Sequence, residues 1–214
     1  MDRSNPYESA FEAYLNEKGL CYVGVDEKKR SFLDNVPVKN LDFIVLGAQG
    51  TRLLIDVKGR RYPGGSAERE RRVWENWSTQ EDIQGLTSWS QLFGPSYIAL
   101  FVFMYRIGAA TVLPGTTDLW TWQGTRYRLL AVSVEEYRRS MRVRSPRWGT
   151  VALPGAAFRS LARPFSYYSQ DRSGGSFEDF RFHEQDSHRP CLEITRLASA
   201  AGAARSAENG RRWS

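Results

Sequence analysis

Two aspartates and a lysine, Asp42, Asp56 and Lys58, lie on two apolar runs that a short Gly-bounded turn separates. This pattern predicts a β-hairpin with a three-residue loop, residues 48–50. In that register Asp42 lies opposite Asp56, and Lys58 shares their face because side chains alternate along a strand. Opposed carboxylates repel each other, and a hard divalent cation such as Mg²⁺ resolves the repulsion. A lysine beside the cation can orient or deprotonate a water, or neutralise charge on a phosphate.

The opposite face of the predicted hairpin is wholly apolar. It pairs Phe43 with Ile55 and continues to Leu41 opposite Val57, while Gly50 supplies the positive φ of the loop. A plainer interpretation stays open, since short motifs arise often by chance. In it the first aspartate caps a turn, and the second pairs with the lysine on a wet surface.

The preceding segment predicts a helix over residues 6–18, with Asn5 as its cap and Gly19 after its end. Its apolar stripe is Tyr7, Ala10, Phe11, Tyr14 and Leu15. Glu8 and Glu12 flank that stripe, and a solvated helix face is the commoner role for glutamate. A short strand over residues 21–25 and a charged turn over 26–30 follow.

After the hairpin we predict a polar, arginine-rich loop over residues 59–77. Ser78 or Thr79 then caps an amphipathic helix that ends at Gly94, and residues 97–105 form a buried strand. The predicted order is therefore αβββαβ, an α/β fold with a mixed sheet and a helix on each face.

The second half predicts a hairpin over residues 119–132, a helix over 135–142, a strand over 150–153 and a short helix over 158–161. Its basic run holds five arginines and no acidic residue, followed by Trp148; the arginines are Arg138, Arg139, Arg142, Arg144 and Arg147. Such a run beside an aromatic ring could hold a nucleic-acid backbone and stack a base. A solvated helix face with a core tryptophan is an equally open interpretation.

Composition narrows the class of protein. The 214 residues suit one domain with an addition, and a net charge of +6 favours a polyanionic partner. We predict no membrane span, no signal peptide and, from only two distant cysteines (Cys21 and Cys191), no disulfide and a cytoplasmic location. The predicted parts are residues 1–108 as core, 109–168 packed on it, and 169–214 as a polar, partly disordered tail.

The first half, residues 6–105, resembles the PD-(D/E)xK nuclease superfamily, and within it the archaeal Holliday junction resolvases. The matching residues are Asp42, then Asp56-Val57-Lys58, and Glu8 on the helix before Lys18-Gly19-Leu20-Cys21-Tyr22. Pro37 stands five residues before Asp42, not adjacent to it. Glu12 is the alternative helix glutamate. Gln80, Asp82 and Gln84 are candidates for a polar residue that faces the site from the following helix.

The resemblance implies a restriction endonuclease-like core with a C-terminal β-rich addition. It implies a DNA endonuclease of repair, recombination or defence that uses Mg²⁺ or Mn²⁺, and it allows a homodimer. Asp42, Asp56, the Val57 carbonyl and Glu8 would bind the metal, and Lys58 would orient the attacking hydroxide. Neighbouring carboxylates raise a lysine pKa, so we favour charge stabilisation over base catalysis for Lys58. The expected DNA contacts are Arg60, Arg61, Arg138, Arg139, Arg142 and Arg144.

Two other functions stay open. The same fold could be a nucleic-acid-binding or interaction module without catalysis. Alternatively, the hairpin is ordinary and the chain is an α/β binding protein of another kind.

Overall fold

The computed structural model describes residues 5–25, 31–33, 36–63, 65–66, 69–70, 74–109, 111 and 119–169. Its helices are α1 (Pro6–Glu17), α2 (Gln80–Phe93), α3 (Val134–Ser140), α4 (Gly155–Leu161) and α5 (Ser166–Ser169). Its strands are β1 (Cys21–Gly24), β2 (Ser31–Leu33), β3 (Val36–Val38), β4 (Phe43–Leu46), β5 (Arg52–Arg61), β6 (Gly65–Ser66), β7 (Arg69–Glu70), β8 (Ser78–Thr79), β9 (Tyr97–Ile107), β10 (Leu119–Trp122), β11 (Thr125–Ser133), β12 (Arg142–Ser145), β13 (Thr150–Ala152) and β14 (Arg163–Pro164).

The main sheet is mixed and has the order β1-β4-β5-β9-β11-β10, with β14 also paired to β11. Only β5 and β9 run parallel among its described pairs, and they stay in register from Arg52–Tyr97 to Arg61–Arg106. Helix α2 connects these two strands, as a parallel pair requires. With α1 before β1, the sequence α1-β1-β4-β5-α2-β9 confirms the predicted α/β fold and its αβββαβ order.

Helix α1 covers one face of the sheet. Asn5 caps it by accepting a hydrogen bond from the Tyr7 backbone N–H at 3.1 Å, and Pro6 occupies the first turn. Its predicted stripe packs into a core with Phe43 and Ile55. The helix lies so close to β5 that a Cβ on Gly59 would come within 2.2 Å of the Tyr7 ring.

Helix α2 covers the opposite face. Thr79 caps it through a capping box with Asp82, and Gly94 ends it with a φ of 87°. Its apolar side packs on Leu54 and Phe101, together with residues of α3 and α4. The core therefore has two layers, one on each face of the sheet.

The β4–β5 hairpin has the predicted register over β4, but the predicted pairs of Leu41 with Val57 and of Asp42 with Asp56 are not part of it. Phe43 pairs with Ile55 and Val45 with Leu53, and residues 48–50 form the loop, with Gly50 at a φ of 75°. The other face of the hairpin is apolar over β4 as well, because Ile44 and Leu54 are buried under α2.

Leu41 also lies in the core under α2, whereas Val57 lies in the core under α1. Regular pairing stops at Phe43, and the Asp42 N–H donates to the Ile55 carbonyl at 2.8 Å. The chain bends there, so side chains no longer alternate as in a straight strand.

Several other predictions need correction. Strand β5 continues to Arg61, where we predicted a loop, and the hairpin β2–β3 precedes β4. Helix α3 ends at Ser140, so Arg142 belongs to β12. Cys191 and the predicted tail from 170 onward lie outside the described residues. Within the described ranges, no helix is long and apolar enough to cross a membrane.

Candidate active site

Strand β5 and the first turn of α2 place three charged side chains together. Asp56 and Lys58 alternate with Val57 and therefore face α2, next to Phe101 and Phe103 on the neighbouring strand β9. The Lys58 ammonium lies 2.7 Å from the Asp56 carboxylate and 3.0 Å from the Asp82 carboxylate. All three side chains are at least 85% buried, with Lys58 the most exposed at 14%. The lysine therefore bridges two aspartates in a largely dry environment.

Asp82 is held from several directions. Its carboxylate accepts hydrogen bonds from the Ser78 hydroxyl and the Thr79 backbone N–H, each at 2.8 Å. The Lys39 ammonium, which is 43% exposed, also contacts it. The same side chain thus completes the capping box of α2 and binds Lys58.

The two aspartates differ in pKa because burial dominates at Asp56, whereas two lysines stabilise the charge on Asp82. Burial raises the pKa of Asp56 to about 6, since attraction to Lys58 is offset in part by repulsion from Asp82. Burial also opposes the charge on Asp82, but Lys58 and Lys39 outweigh it and hold the Asp82 pKa below its ordinary value. Asp82 is therefore the permanently charged member of the pair.

Lys58 is protonated at neutral pH. Burial alone would lower its pKa, but the carboxylates of Asp56 and Asp82 reverse that effect and raise the pKa to about 12. A lysine in this state cannot accept a proton from water. It can donate hydrogen bonds and stabilise negative charge.

Asp42 reaches β5 from the bend before β4. Its carboxylate accepts a hydrogen bond from the Val57 backbone N–H at 2.6 Å, between Asp56 and Lys58 in the chain. Its backbone carbonyl accepts a bond from Val25 at 2.8 Å, which fixes the bend against the segment after β1. The structure thus joins Asp42 to the strand that carries Asp56 and Lys58.

The two helix glutamates have different surroundings. Glu8 is only 3% exposed, not solvated, and its carboxylate accepts a hydrogen bond from the Asn5 amide. Glu12 is partly buried and accepts a bond from the Tyr22 hydroxyl at 3.0 Å. Across the described residues, no group of three or more His, Cys, Asp or Glu side chains is arranged to hold a metal ion. The set of Asp42, Asp56 and Glu8 as metal ligands stays a prediction.

The expected DNA contacts differ in their surroundings. Arg60 is buried in β5, with its guanidinium 4.1 Å from the centre of the Trp77 ring, whereas Arg61 is exposed. Arg139 pairs with Glu135 on α3. Arg142 and Arg144 are exposed on β12, and the Arg144 guanidinium lies 5.4 Å from the Trp77 ring.

A separate cleft of about 450 Å³ lies between α3 and the C-terminal half of α2. Its lining includes Ser90, Gln91, Tyr97, Glu135 and Arg138 but none of the buried aspartates or Lys58. The cleft is open and has no cluster of convergent charges. Arg138 therefore belongs to a different part of the surface from the lysine and its aspartates.

The sequence leaves the α2 residue of the site open among three candidates and gives no signal for Lys39. Of its three candidates on α2, only Asp82 faces Lys58, whereas Gln80 and Gln84 are exposed. The Thr79-x-x-Asp82 spacing, typical of a capping box, could have favoured Asp82. The position of Lys39 before β4 does not indicate its contact with α2.

Neither the protein-family models nor the curated proteins compared with this sequence show a match. Among solved structures, the chain is similar to the Holliday junction resolvase Hjc of Archaeoglobus fulgidus, an archaeal hyperthermophile, at 14% sequence identity and a TM-score of 0.43. The alignment covers 72% of this chain and 91% of the resolvase. A similarity at this level establishes neither the family nor the activity of the chain.

Proposed function

We propose that the protein is a metal-dependent DNA endonuclease of the repair, recombination or defence type. The observation that supports it most directly is the grouping of Asp42, Asp56 and Lys58 on the β4–β5 hairpin of an αβββαβ fold. Buried charges are expensive to maintain, so a fold seldom places them together without a functional use.

The oxygen ligands proposed for this site are of the kind that a hard divalent cation prefers. Asp56 is a buried carboxylate whose pKa of about 6 shows that one shared ammonium compensates its charge incompletely. A cation would supply the missing compensation, and carboxylate and carbonyl oxygens are what Mg²⁺ or Mn²⁺ prefers. Asp42, Asp56 and the Val57 carbonyl would hold it, with Glu8 as a further proposed ligand. When bound, the metal lowers the pKa of a water and stabilises negative charge on the phosphate.

The other residues have roles that follow from their charge. Lys58, protonated by its two aspartates, would position the attacking hydroxide and stabilise charge that develops on the phosphate. Asp82 and Lys39 would act through Lys58, because Asp82 fixes the Lys58 ammonium and Lys39 keeps Asp82 charged. Arg61, Arg142 and Arg144, all exposed, would contact the DNA backbone.

The test is cleavage of labelled duplex, single-stranded and four-way DNA by the full chain with Mg²⁺ or Mn²⁺. We expect Lys58→Met and Asp56→Asn to lower the rate on the preferred form by about a hundredfold or more, as loss of a transition-state charge contact does. Lys18→Met, at an exposed lysine, is the matched control and should cleave like wild type. A wild-type protein that cuts none of these DNA forms, or a Lys58→Met variant that cuts at the wild-type rate, would count decisively against the proposal.

One observation favours a second function, a nucleic-acid-binding module without catalysis. The bridge from Asp56 through Lys58 to Asp82 gives each of these buried charges an opposite charge within the chain itself. Such a module would bind DNA in a salt-dependent way yet take up no Mn²⁺. Isothermal titration with Mn²⁺ separates the two functions: heat of binding that Asp56→Asn removes supports the nuclease, and its absence supports the module.

A further inference from the structure

The hairpin formed by β12 and β13, residues 142–152, is the part of the surface most suited to an extended polyanion. Its residues Arg142, Arg144, Arg147 and Trp148 are all exposed, with the Trp148 ring at 69%. None of these arginines forms an ion pair with a carboxylate in the described part of the chain. The hairpin thus offers three uncompensated cations and one large ring to solvent.

This hairpin is attached directly to the segment that holds the candidate active site. Strand β13 pairs with β8 through Val151–Ser78 and Thr150–Thr79, and the Gln80 N–H donates to the Gly149 carbonyl at 2.9 Å. Ser78 and Thr79 in turn bind the Asp82 carboxylate, which binds Lys58. The turn with Trp148 is therefore fixed to the first turn of α2 and cannot move independently of Asp82.

The tryptophan is not part of the core. Val151 on the same hairpin is buried, and the turn around Trp148 is closed by a hydrogen bond from the Gly149 N–H to the Pro146 carbonyl. The Arg147 guanidinium lies 5.3 Å from the Trp148 ring centre, which restrains the ring on one side. A restrained, exposed indole ring beside a cation is an arrangement that stacks nucleic-acid bases.

We propose that this hairpin makes the enzyme act on DNA with unpaired bases: Trp148 stacks on a base of a single strand while Arg142, Arg144 and Arg147 contact its phosphates. Duplex DNA keeps its bases stacked on each other and leaves no base face for the ring. Single strands, flaps and branch points expose such faces. The inference rests on the proposed action on DNA and specifies which form of DNA the site receives.

The experiment is fluorescence anisotropy of labelled single-stranded and duplex DNA of one sequence, in EDTA so that no cleavage occurs. We expect Trp148→Ala to weaken single-strand binding by about 5- to 150-fold, the range for loss of one stacked base, and duplex binding by less than about threefold. Trp148→Phe keeps a stacking ring and should retain most of the affinity. Arg144→Gln should reduce the salt dependence of binding to both forms.

The proposal is overturned if wild type does not bind single strands, or if Trp148→Ala binds them as tightly as wild type. It is also overturned if that variant weakens both forms equally, or if Trp148→Phe is as weak as Trp148→Ala. Cleavage assays on the same variants separate this result from the nuclease hypothesis. A wild-type protein that binds single strands through Trp148 but cleaves no DNA refutes catalysis alone, whereas cleavage with no role for Trp148 refutes only the stacking.

Discussion

Replacing Asp56 with asparagine should stabilise the folded protein while removing its proposed activity. The Asp56 carboxylate is 5% exposed, and burial raises its pKa from an ordinary value of 3.8 to about 6. The folded protein therefore binds this proton more tightly than the unfolded chain does. The difference between the two pKa values corresponds to a cost of about 3 kcal/mol for ionising Asp56 in the folded state. Asparagine resembles the protonated acid in shape and carries no charge, so the variant avoids that penalty.

The pH dependence of this difference in stability follows from the same two pKa values. Well below pH 4 the carboxyl is protonated in both states, and wild type and Asp56→Asn should have similar free energies of unfolding. Between about pH 4 and 6 the wild type progressively loses stability relative to the variant, and above pH 6 the difference is complete. At pH 7.5 we expect Asp56→Asn to be more stable by up to about 3 kcal/mol, or roughly 6–12 °C in Tm.

The measurement is urea unfolding, followed by tryptophan fluorescence, at several pH values from 4 to 8. Glu75→Gln is the matched control, because Glu75 is an exposed acid and its removal should change stability by less than about 0.5 kcal/mol. Asp82→Asn is the opposite case: two lysines outweigh burial and favour its charged form, so its loss should destabilise the protein by roughly 3–5 kcal/mol. An Asp56→Asn variant that is less stable than wild type at pH 7.5, or whose gain is the same at every pH, would refute this reasoning.

Three further substitutions test the packing around the site. Gly59→Ala should destabilise the protein by about 1–3 kcal/mol because its Cβ meets the Tyr7 ring. The double variant with Tyr7→Ala should lose less stability than the sum of the two single variants. Strictly additive losses in urea unfolding would contradict the contact. Asn76→Ala leaves the backbone N–H and carbonyl of Leu153 unpaired, so thermal unfolding should show a loss of about 2–3 kcal/mol, and a neutral result would disprove that link. Thr79→Ala should lower stability by about 1 kcal/mol and speed amide exchange in the first turn of α2, whereas unchanged exchange would argue against its capping role.

Local patterns were sufficient to predict the hairpin and both large helices. The Gly-bounded turn fixes the register of β4 with β5, and alternation then places Asp56 and Lys58 on one face. Helix α2 follows from Thr79 at its start and Gly94 at its end. These features depend on residues close together in the chain, which a sequence displays directly.

Features that depend on distant pairing could not be predicted. Arg60 is buried because β5 continues alongside β9, where Arg60 pairs with Tyr105. The residues next to Arg60 in the sequence do not indicate that partner. Likewise Arg142 belongs to a strand because β13 lies beside it and not because of its own neighbours. The contact of Lys39 with Asp82 joins residues that only the folded sheet and helix bring together.

The long strand β9 makes the two halves of the chain dependent on each other. Its parallel partner β5 carries the candidate site, and its other edge pairs with β11 from Leu100–Ser133 to Ile107–Arg126. A chain that ended at residue 108 would leave that edge without its partner strand. Its backbone N–H and C=O groups would be unpaired, and its side chains are almost all apolar. We therefore expect such a truncation to aggregate, because residues 1–108 need the following half to cover this edge.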